Sequence, residues 1–392
     1  MHFQAKDQGY GHPFPDPAQL LLLKAALCEG EEAILAWQAW QQAFDLKDPL
    51  DAGSYRTLPL LYRNLSRVLP QEPLLPKLKA AYRQSWYRNQ QVLHRGLPAL
   101  RLLRGAGIEV MLLKGAALGP LWYGDAGVRP MADLDVMVCP ADACRALDLL
   151  KEAGWTPEEP GAVEYNLRYG RAMGLRDAEG WELDLHWHAL FEGLRHEGVD
   201  LWRNAAPMEL QDLTVKVPEH AMMLVHVMVH GLRWNPEPPI RWIPDSLQVM
   251  RAMGAGDWER VTELVRAYRI QLPMLQALGY LKQHFGAEVP EHIHLALSNM
   301  STGYAERALW KAQLRPGAER LPEAFFPRLH YLFGVYMRQS GRSGLLPNLA
   351  GFPAFLAYRT RGKSRLQLLA YYAGRAWRGR RKDTAHPHPN TP

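Results

Sequence analysis

Within MADLDVMV, residues 131–138, the stretch DLDVMV (133–138) reads as a short strand closed by Cys139 and Pro140. Residues two apart on a strand point to the same face. Asp133 and Asp135 are therefore expected side by side, with Leu134 and Val136 turned the other way into a core. Two carboxylates at such spacing repel each other, and their burial costs desolvation energy. A hard divalent cation between them removes that cost, and Mg²⁺ characteristically binds one or two carboxylates together with substrate phosphates. An isolated Asp-x-Asp pair also occurs on ordinary solvated faces, so the neighbouring segments decide how it is read.

Upstream, IEVMLL (108–113) is a short apolar run between glycines and reads as a buried strand. It leads into LLKGAALG, which places Lys114 and Gly115 where strand turns into helix, and GAALGPLWY continues as a short helix. A helix start offers free N–H groups and partial positive charge to a phosphate. Glycine lets the backbone approach closely, and Lys114 adds a point charge. The plainer reading is a strand-to-helix turn with a solvated lysine. Downstream, AVEYNLRY (162–169) and WELDLHW (181–187) alternate with period two and read as further strands. In the second, Glu182, Asp184 and His186 share one face and Leu183, Leu185 and Trp187 the other; a half-buried antiparallel strand alternates in the same way. ADACRALDLLKEAGW between them is a helix.

Strand, helix, strand, helix and more strands within 108–188 predict a small α/β (α+β) core with a mixed sheet. Helical regions flank it. The predicted organisation is an N-terminal helical region over 1–95, the core over 96–205, a C-terminal helical domain over 206–358 and a basic tail over 359–392. In the C-terminal region HAMMLVHVMVHGL, SLQVMRAM, WERVTELVRAY and LPMLQALGYLKQHF are separated by Gly, Pro and Asp breaks, and 303–340 reads as two more helices.

The chain has 392 residues, 47% apolar and 22% charged, an ordinary globular balance with length for two or three domains. Three cysteines, Cys28, Cys139 and Cys144, give no disulfide framework and fit a reducing compartment; the last two read as packed thiols. The first residues carry no signal-peptide pattern, and no apolar run reaches the length of a membrane span. A cytoplasmic protein is expected. Nine basic residues and no acidic one lie between Arg359 and Lys382, so the net charge of +6 leaves the remainder at −3. That tail, with Tyr371, Tyr372 and Trp377, fits a solvated helix, a nucleic-acid contact or an anionic membrane surface.

His226 and His230 share a helix face, but Val227 stands where a zinc-protease helix needs glutamate, so both read as satisfied core or cleft histidines. His186 and His188 lack a convincing set of partner ligands. Arg241 and Asp245, four apart, read as a helix ion pair.

Taken together, LLKGAAL, YGDAGVRPMADLDVMV, ELDLHW, HVMVHGL and RWIPDSLQVM resemble the polymerase-beta-like nucleotidyltransferase superfamily. Within it they are most similar to the bacterial family of uncharacterised nucleotidyltransferases, strongly over roughly residues 95–260. The resemblance implies that Asp133, Asp135 and Asp184 form a metal site for Mg²⁺ or Mn²⁺ and carry catalysis, Asp184 helping to deprotonate the acceptor hydroxyl. It implies that Lys114, Gly115 and Arg129 bind the nucleotide, Arg129 by pairing bidentately with the triphosphate. The implied reaction moves a nucleoside monophosphate from an NTP, first of all ATP, to a hydroxyl acceptor across two metals. Ala116 stands where active superfamily members commonly have serine. A catalytically inactive nucleotide-binding or interaction module of the same fold is therefore the alternative.

Overall fold

The computed structural model describes residues 13–44, 49–190, 199–233, 239–314, 329, 332–337, 340 and 345–359. Five helices precede the sheet: α1 (Pro17–Leu27), α2 (Gly30–Ala43), α3 (Ala52–Tyr55), α4 (Leu58–Val68) and α5 (Leu75–Gly105). Helix α1 starts where the sequence provides a complete cap. Pro17 opens it, the Asp16 carboxylate accepts from Gln19 N at 2.8 Å, and the Gln19 side chain accepts from Asp16 N at 3.1 Å. Trp37 and Trp40 of α2 are fully inside and stack at 5.3 Å, and the Trp37 indole N–H is satisfied by Glu72.

The core follows as β1 (Met111–Leu112), α6 (Lys114–Leu118) running into a π-turn at Gly119–Tyr123, β2 (Leu134–Met137) and α7 (Ala143–Glu152). After these come β3 (Thr156–Pro157), α8 (Val163–Tyr169), β4 (Ala172–Arg176) and β5 (Glu182–His186), then α9 (Val199–Arg203), β6 (Ala206–Leu210) and β7 (Leu213–Val217). The strands make one mixed sheet of seven in the order β3-β4-β5-β2-β1-β7-β6. The central pair β2 and β5 is parallel, as is β1 with β7; the other neighbours are antiparallel. Leu134 faces α5 so closely that a Cβ on Gly96 would stand 2.1 Å from its Cδ2. The opposite face of β2 is thereby left to Asp135.

After the sheet come α10 (His220–Gly231), α11 (Trp242–Arg251), α12 (Ala255–Tyr268), α13 (Gln271–Phe285), α14 (Glu291–Ser298) and α15 (Tyr304–Gln313), and later a helix over Leu345–Arg359. Helix α10 is apolar on every side and is correspondingly buried, with α11, α12 and α13 packed around it. No helix among the described residues is long and apolar enough to cross a membrane.

The mixed sheet between helical regions is as the sequence predicts, but several elements differ. AVEYNLRY is helical, not a strand. Tyr165 and Tyr169, one turn apart, pack together and against Phe355 of the last helix, in a small second core with Leu332, Tyr336 and Phe352. A partner nearly two hundred residues away overrides local alternation. The hairpin β6–β7 extends the sheet past residue 205. Its tight turn puts Gln211 at φ 55, without the Asn-Gly signature that marks such turns in sequence. The limit read at 95 falls inside α5, and one buried core joins Leu22 of α1, Leu112 of β1, Met222 of α10 and Trp310 of α15. The basic tail beyond Arg359 and most of the second helix read within 303–340 lie outside the described residues.

The approach of α5 to β2 sets an expectation for stability. Gly96→Val forces two branched methyl groups into Leu134 and is expected to cost about 1–3 kcal/mol in urea unfolding. Gly279→Ala, in the middle of α13 with nothing within 4 Å, is expected to stabilise by about 0.5–1 kcal/mol. Equal responses would contradict the close contact.

Candidate metal and nucleotide site

The site begins with strand register. Parallel pairing of β2 and β5 sets Asp135 directly opposite Asp184, and Met137 opposite His186. Asp135 is buried, whereas the Asp184 side chain keeps 34% of its surface exposed. His186, fully buried, brings Nε2 to 3.0 Å from Asp135 Oδ1 and 3.9 Å from Asp184 Oδ2. One ligand atom from each of these three residues lies within 4.8 Å of the others, a group able to hold a metal ion. Asp133 occupies the bend just before β2 and is not part of that trio.

The acids are strongly coupled. Burial, then the charges of Asp135 and Asp133, raise the Asp184 carboxyl from 3.8 to about 7. Burial and Asp135 also raise Asp133. Asp135 goes the other way: burial opposes its charge, but Lys114 and His186 outweigh burial and hold it far below the carboxylate range. Burial lowers His186 to about 4 despite Asp135, so its ring is neutral at pH 7. A neutral imidazole and ionised carboxylates are the forms in which these groups bind metals.

Lys114 sits at the head of α6 with φ 44, in the left-handed region that non-glycine residues rarely adopt. From there its Nζ reaches Asp135 Oδ1 at 2.5 Å. Gly115, next in the turn, has no room for a side chain: a Cβ would stand 2.4 Å from Met131 Cγ and 2.6 Å from Arg129 Nη1. The Leu113 N–H donates to Asp135 O at 3.1 Å and ties this turn to β2.

The loop between the turn and β2 is fixed from two sides. From α5, Asn89 Nδ2 donates to Ala126 O and Arg129 O, while its Oδ1 accepts from Met131 N at 2.8 Å. From α11, Asp245 receives Arg129 Nε and Nη2 at 2.9 and 2.8 Å and the Tyr123 hydroxyl at 2.8 Å, all buried. Burial opposes the Arg129 charge, but Asp245 more than compensates. Arg241 donates to Pro130 O at 2.7 Å. Burial and then Arg129 lower it to about 10, so it remains charged at neutral pH.

The structure thus brings Lys114, Gly115, Asp133, Asp135 and Asp184 around one region. It adds His186, which sequence reasoning set aside for want of partners. The missing information was register, since nothing in WELDLHW says that Asp135 will lie beside Asp184. The bidentate partner of Arg129 is Asp245, so Nη1 is the nitrogen left beside Gly115. Asp245 accordingly pairs with Arg129 and not with Arg241. Asn89, which staples the loop, carries no sequence signal on a helix rich in polar residues. His226 is fully buried, but neither ring nitrogen has a hydrogen-bond partner among the described residues, so it is not the satisfied core histidine expected. Cys144 is exposed, contrary to its reading as a packed thiol.

The donors suit a divalent ion. Two carboxylates and one neutral imidazole form a borderline-to-hard set that suits Mg²⁺ or Mn²⁺, and burial followed by like-charge repulsion raises the Asp184 carboxyl toward neutral pH, a cost that a cation would relieve.

Asp245→Asn leaves a buried guanidinium without a counterion. It is expected to destabilise the protein by about 3–5 kcal/mol. Glu182→Gln, which breaks an exposed pair with Arg176, is expected to cost under about 1 kcal/mol. Denaturant unfolding of both variants checks the contrast, and a small loss in Asp245→Asn would mean that the loop is not held through Arg129.

Comparison with known proteins now bears on this geometry. A search of curated proteins gives no match. Among solved structures, an antigenic nucleotidyltransferase-like protein from Paracoccidioides brasiliensis is similar at 15% sequence identity. The match covers 57% of this chain and 96% of that one, with a TM-score of 0.33. The family model described as uncharacterised nucleotidyltransferase matches residues 52–286, which include Lys114, all three aspartates, His186 and Asp245. With more than half of its length matched, the chain belongs to the uncharacterised nucleotidyltransferase family.

Proposed function

We propose that this protein moves a nucleoside monophosphate from a nucleoside triphosphate, ATP first among them, to a hydroxyl of an acceptor, with Mg²⁺ or Mn²⁺. The observation that carries the reading is the pairing of Asp135 with Asp184 across β2 and β5, with His186 completing a donor trio. Family membership supports nucleotidyl transfer as the reaction class. The acceptor class is left open among small molecules, sugars, peptides and proteins.

In this reading Asp135, Asp184 and His186 hold the divalent ion, which would neutralise charge on the phosphates. Asp133, at the strand entrance, adds a carboxylate to the same field. The turn at Gly115 offers backbone N–H groups to the phosphates, and Arg129 Nη1 lies beside it. The acceptor oxygen attacks the α-phosphorus, the bond to the bridging α–β oxygen breaks, and pyrophosphate leaves. The acceptor proton passes to Asp184, the partly exposed carboxyl of the trio. Catalysis rests on positioning and charge neutralisation.

ATP labelled at the α-phosphate is expected to label an acceptor in a cell extract and release unlabelled pyrophosphate. Asp184→Asn is expected to lower that transfer by about 10²–10⁴-fold. Nucleotide binding without pyrophosphate release would instead support the inactive module of the same fold.

Proton linkage gives an independent check. Between its ordinary 3.8 and about 7, Asp184 holds a proton in the folded protein that the unfolded chain has released. The stability this provides is lost as pH rises through about 7. A divalent ion replaces the proton, so the rise in Tm on adding Mn²⁺ is expected to be larger at pH 8 than at pH 6. Asp184→Asn is expected to raise the metal-free Tm at pH 8 and remove most of the metal effect. Equal metal effects at both pH values would contradict the assignment.

A further inference from the structure

We propose that Arg241 binds the β- and γ-phosphates of the triphosphate and so holds the pyrophosphate that leaves. The inference rests on the nucleotidyl-transfer reading and assigns to that site a residue the reading has not used.

A phosphate is held best by a cation that no carboxylate already neutralises. Arg129 does not meet that condition. It is buried, and its Nε and Nη2 are engaged by the Asp245 carboxylate. Only Nη1 remains, beside Gly115. Arg241 differs on each point. It stands at the head of α11, and its Nη1 donates to Pro130 O at 2.7 Å, three residues before Asp133. Among the described residues it forms no ion pair with a carboxylate. A guanidinium carries five N–H donors in a planar fork, so four remain after the bond to Pro130. The side chain is only partly buried, and its unbonded nitrogens are not sealed from solvent.

The neighbours favour an anion. Burial, then the charges of Arg129 and Arg56, oppose the charge of Arg241, ahead of the support it draws from Asp245 and Asp133. Arg56 is exposed and likewise pairs with no carboxylate among the described residues. Cations crowded in this way are relieved by a bound anion, as paired acids are by a cation.

Position selects which phosphates. The charges acting on Asp184 are those of Asp135, Asp133, Lys114 and Arg171, whereas Arg241 acts on Asp133. The acceptor proton passes to Asp184, so the attacking oxygen approaches from that end. In-line transfer places the leaving oxygen on the opposite side of the α-phosphorus. Arg241, beside the Asp133 bend, stands toward that leaving side, where negative charge grows as the bridging bond breaks. A planar fork of donors matches the adjacent oxygens of a diphosphate.

Calorimetric titration of the full-length protein in Mg²⁺ tests this with three probes: AMP, inorganic pyrophosphate, and an ATP analogue carrying a methylene between the α- and β-phosphates. Arg241→Met is expected to weaken pyrophosphate and the analogue by about 10–100-fold, and AMP by less than about twofold. Arg241→Lys keeps the charge without the fork and is expected to fall between. Equal weakening of all three probes would mean that Arg241 only steadies the loop through Pro130, and would overturn the proposal, as would unchanged pyrophosphate binding. The wild type supplies a second measurement should the variants not fold. Phenylglyoxal, mapped by mass spectrometry, is expected to label Arg241 in the free protein and to be blocked there by pyrophosphate but not by AMP. An Arg241 that resists the reagent, or is labelled equally with pyrophosphate present, would overturn the proposal while leaving the transfer reading in place. A wild type that binds neither pyrophosphate nor the analogue would sink the transfer reading, and this proposal with it.

Discussion

Like-charge crowding at one end of a parallel strand pair is the constraint around which the molecule is arranged. Asp135 and Asp184 are register partners, Asp133 lies in the bend two residues before Asp135, and beyond burial the charge of Asp135 makes both of the others harder to ionise. A fold does not keep three acids together in a partly dry setting unless something offsets the repulsion. Here Lys114 and His186 do so for Asp135, which stays ionised, while Asp184 remains the group that a proton or a cation must satisfy. The division of labour resembles that of other paired carboxylates, where environment and not residue type sets the role.

The surrounding architecture fixes those positions. Helix α5 covers one face of β2 through Gly96 and Leu134, leaving the other face to Asp135. The same helix supplies Asn89, whose amide satisfies three backbone groups of the loop entering β2. Helix α11 holds that loop from the far side through Asp245, Arg129 and Tyr123. The long loop between Gly115 and Asp133 is thus clamped by elements from both the N-terminal and the C-terminal helical regions. This accounts physically for a single core running through all three regions. The helices are part of what holds the site, since removing either clamp frees the backbone that carries Asp133.

How much of this was legible in the residues differs from place to place. The acidic strand could be read because Asp135 sits in an otherwise apolar run, Leu134 to Val138, which is buried, although Asp133 falls in the bend before it. The Lys114–Gly115 turn could be read because glycine follows an apolar run. Asp184 was legible as a face-sharing acid, but its meeting with Asp135 depends on register between strands some fifty residues apart, which no local pattern encodes. His186 was passed over for that reason, since its partner sits on another strand. Arg129 was read as free for phosphate, yet its bidentate partner comes from Asp245 on a helix more than a hundred residues later. AVEYNLRY failed because aromatic packing against the last helix outweighs a period-two pattern. The β6–β7 hairpin failed because its turn lacks the usual glycine.

The account's central claim is that Asp135, Asp184 and His186 together bind the divalent ion. Anomalous diffraction at the manganese edge, from crystals soaked in Mn²⁺, tests this most directly. A peak within coordinating distance of all three side chains is the predicted result. A peak bound elsewhere, or none at a concentration that saturates the protein in solution, would contradict it.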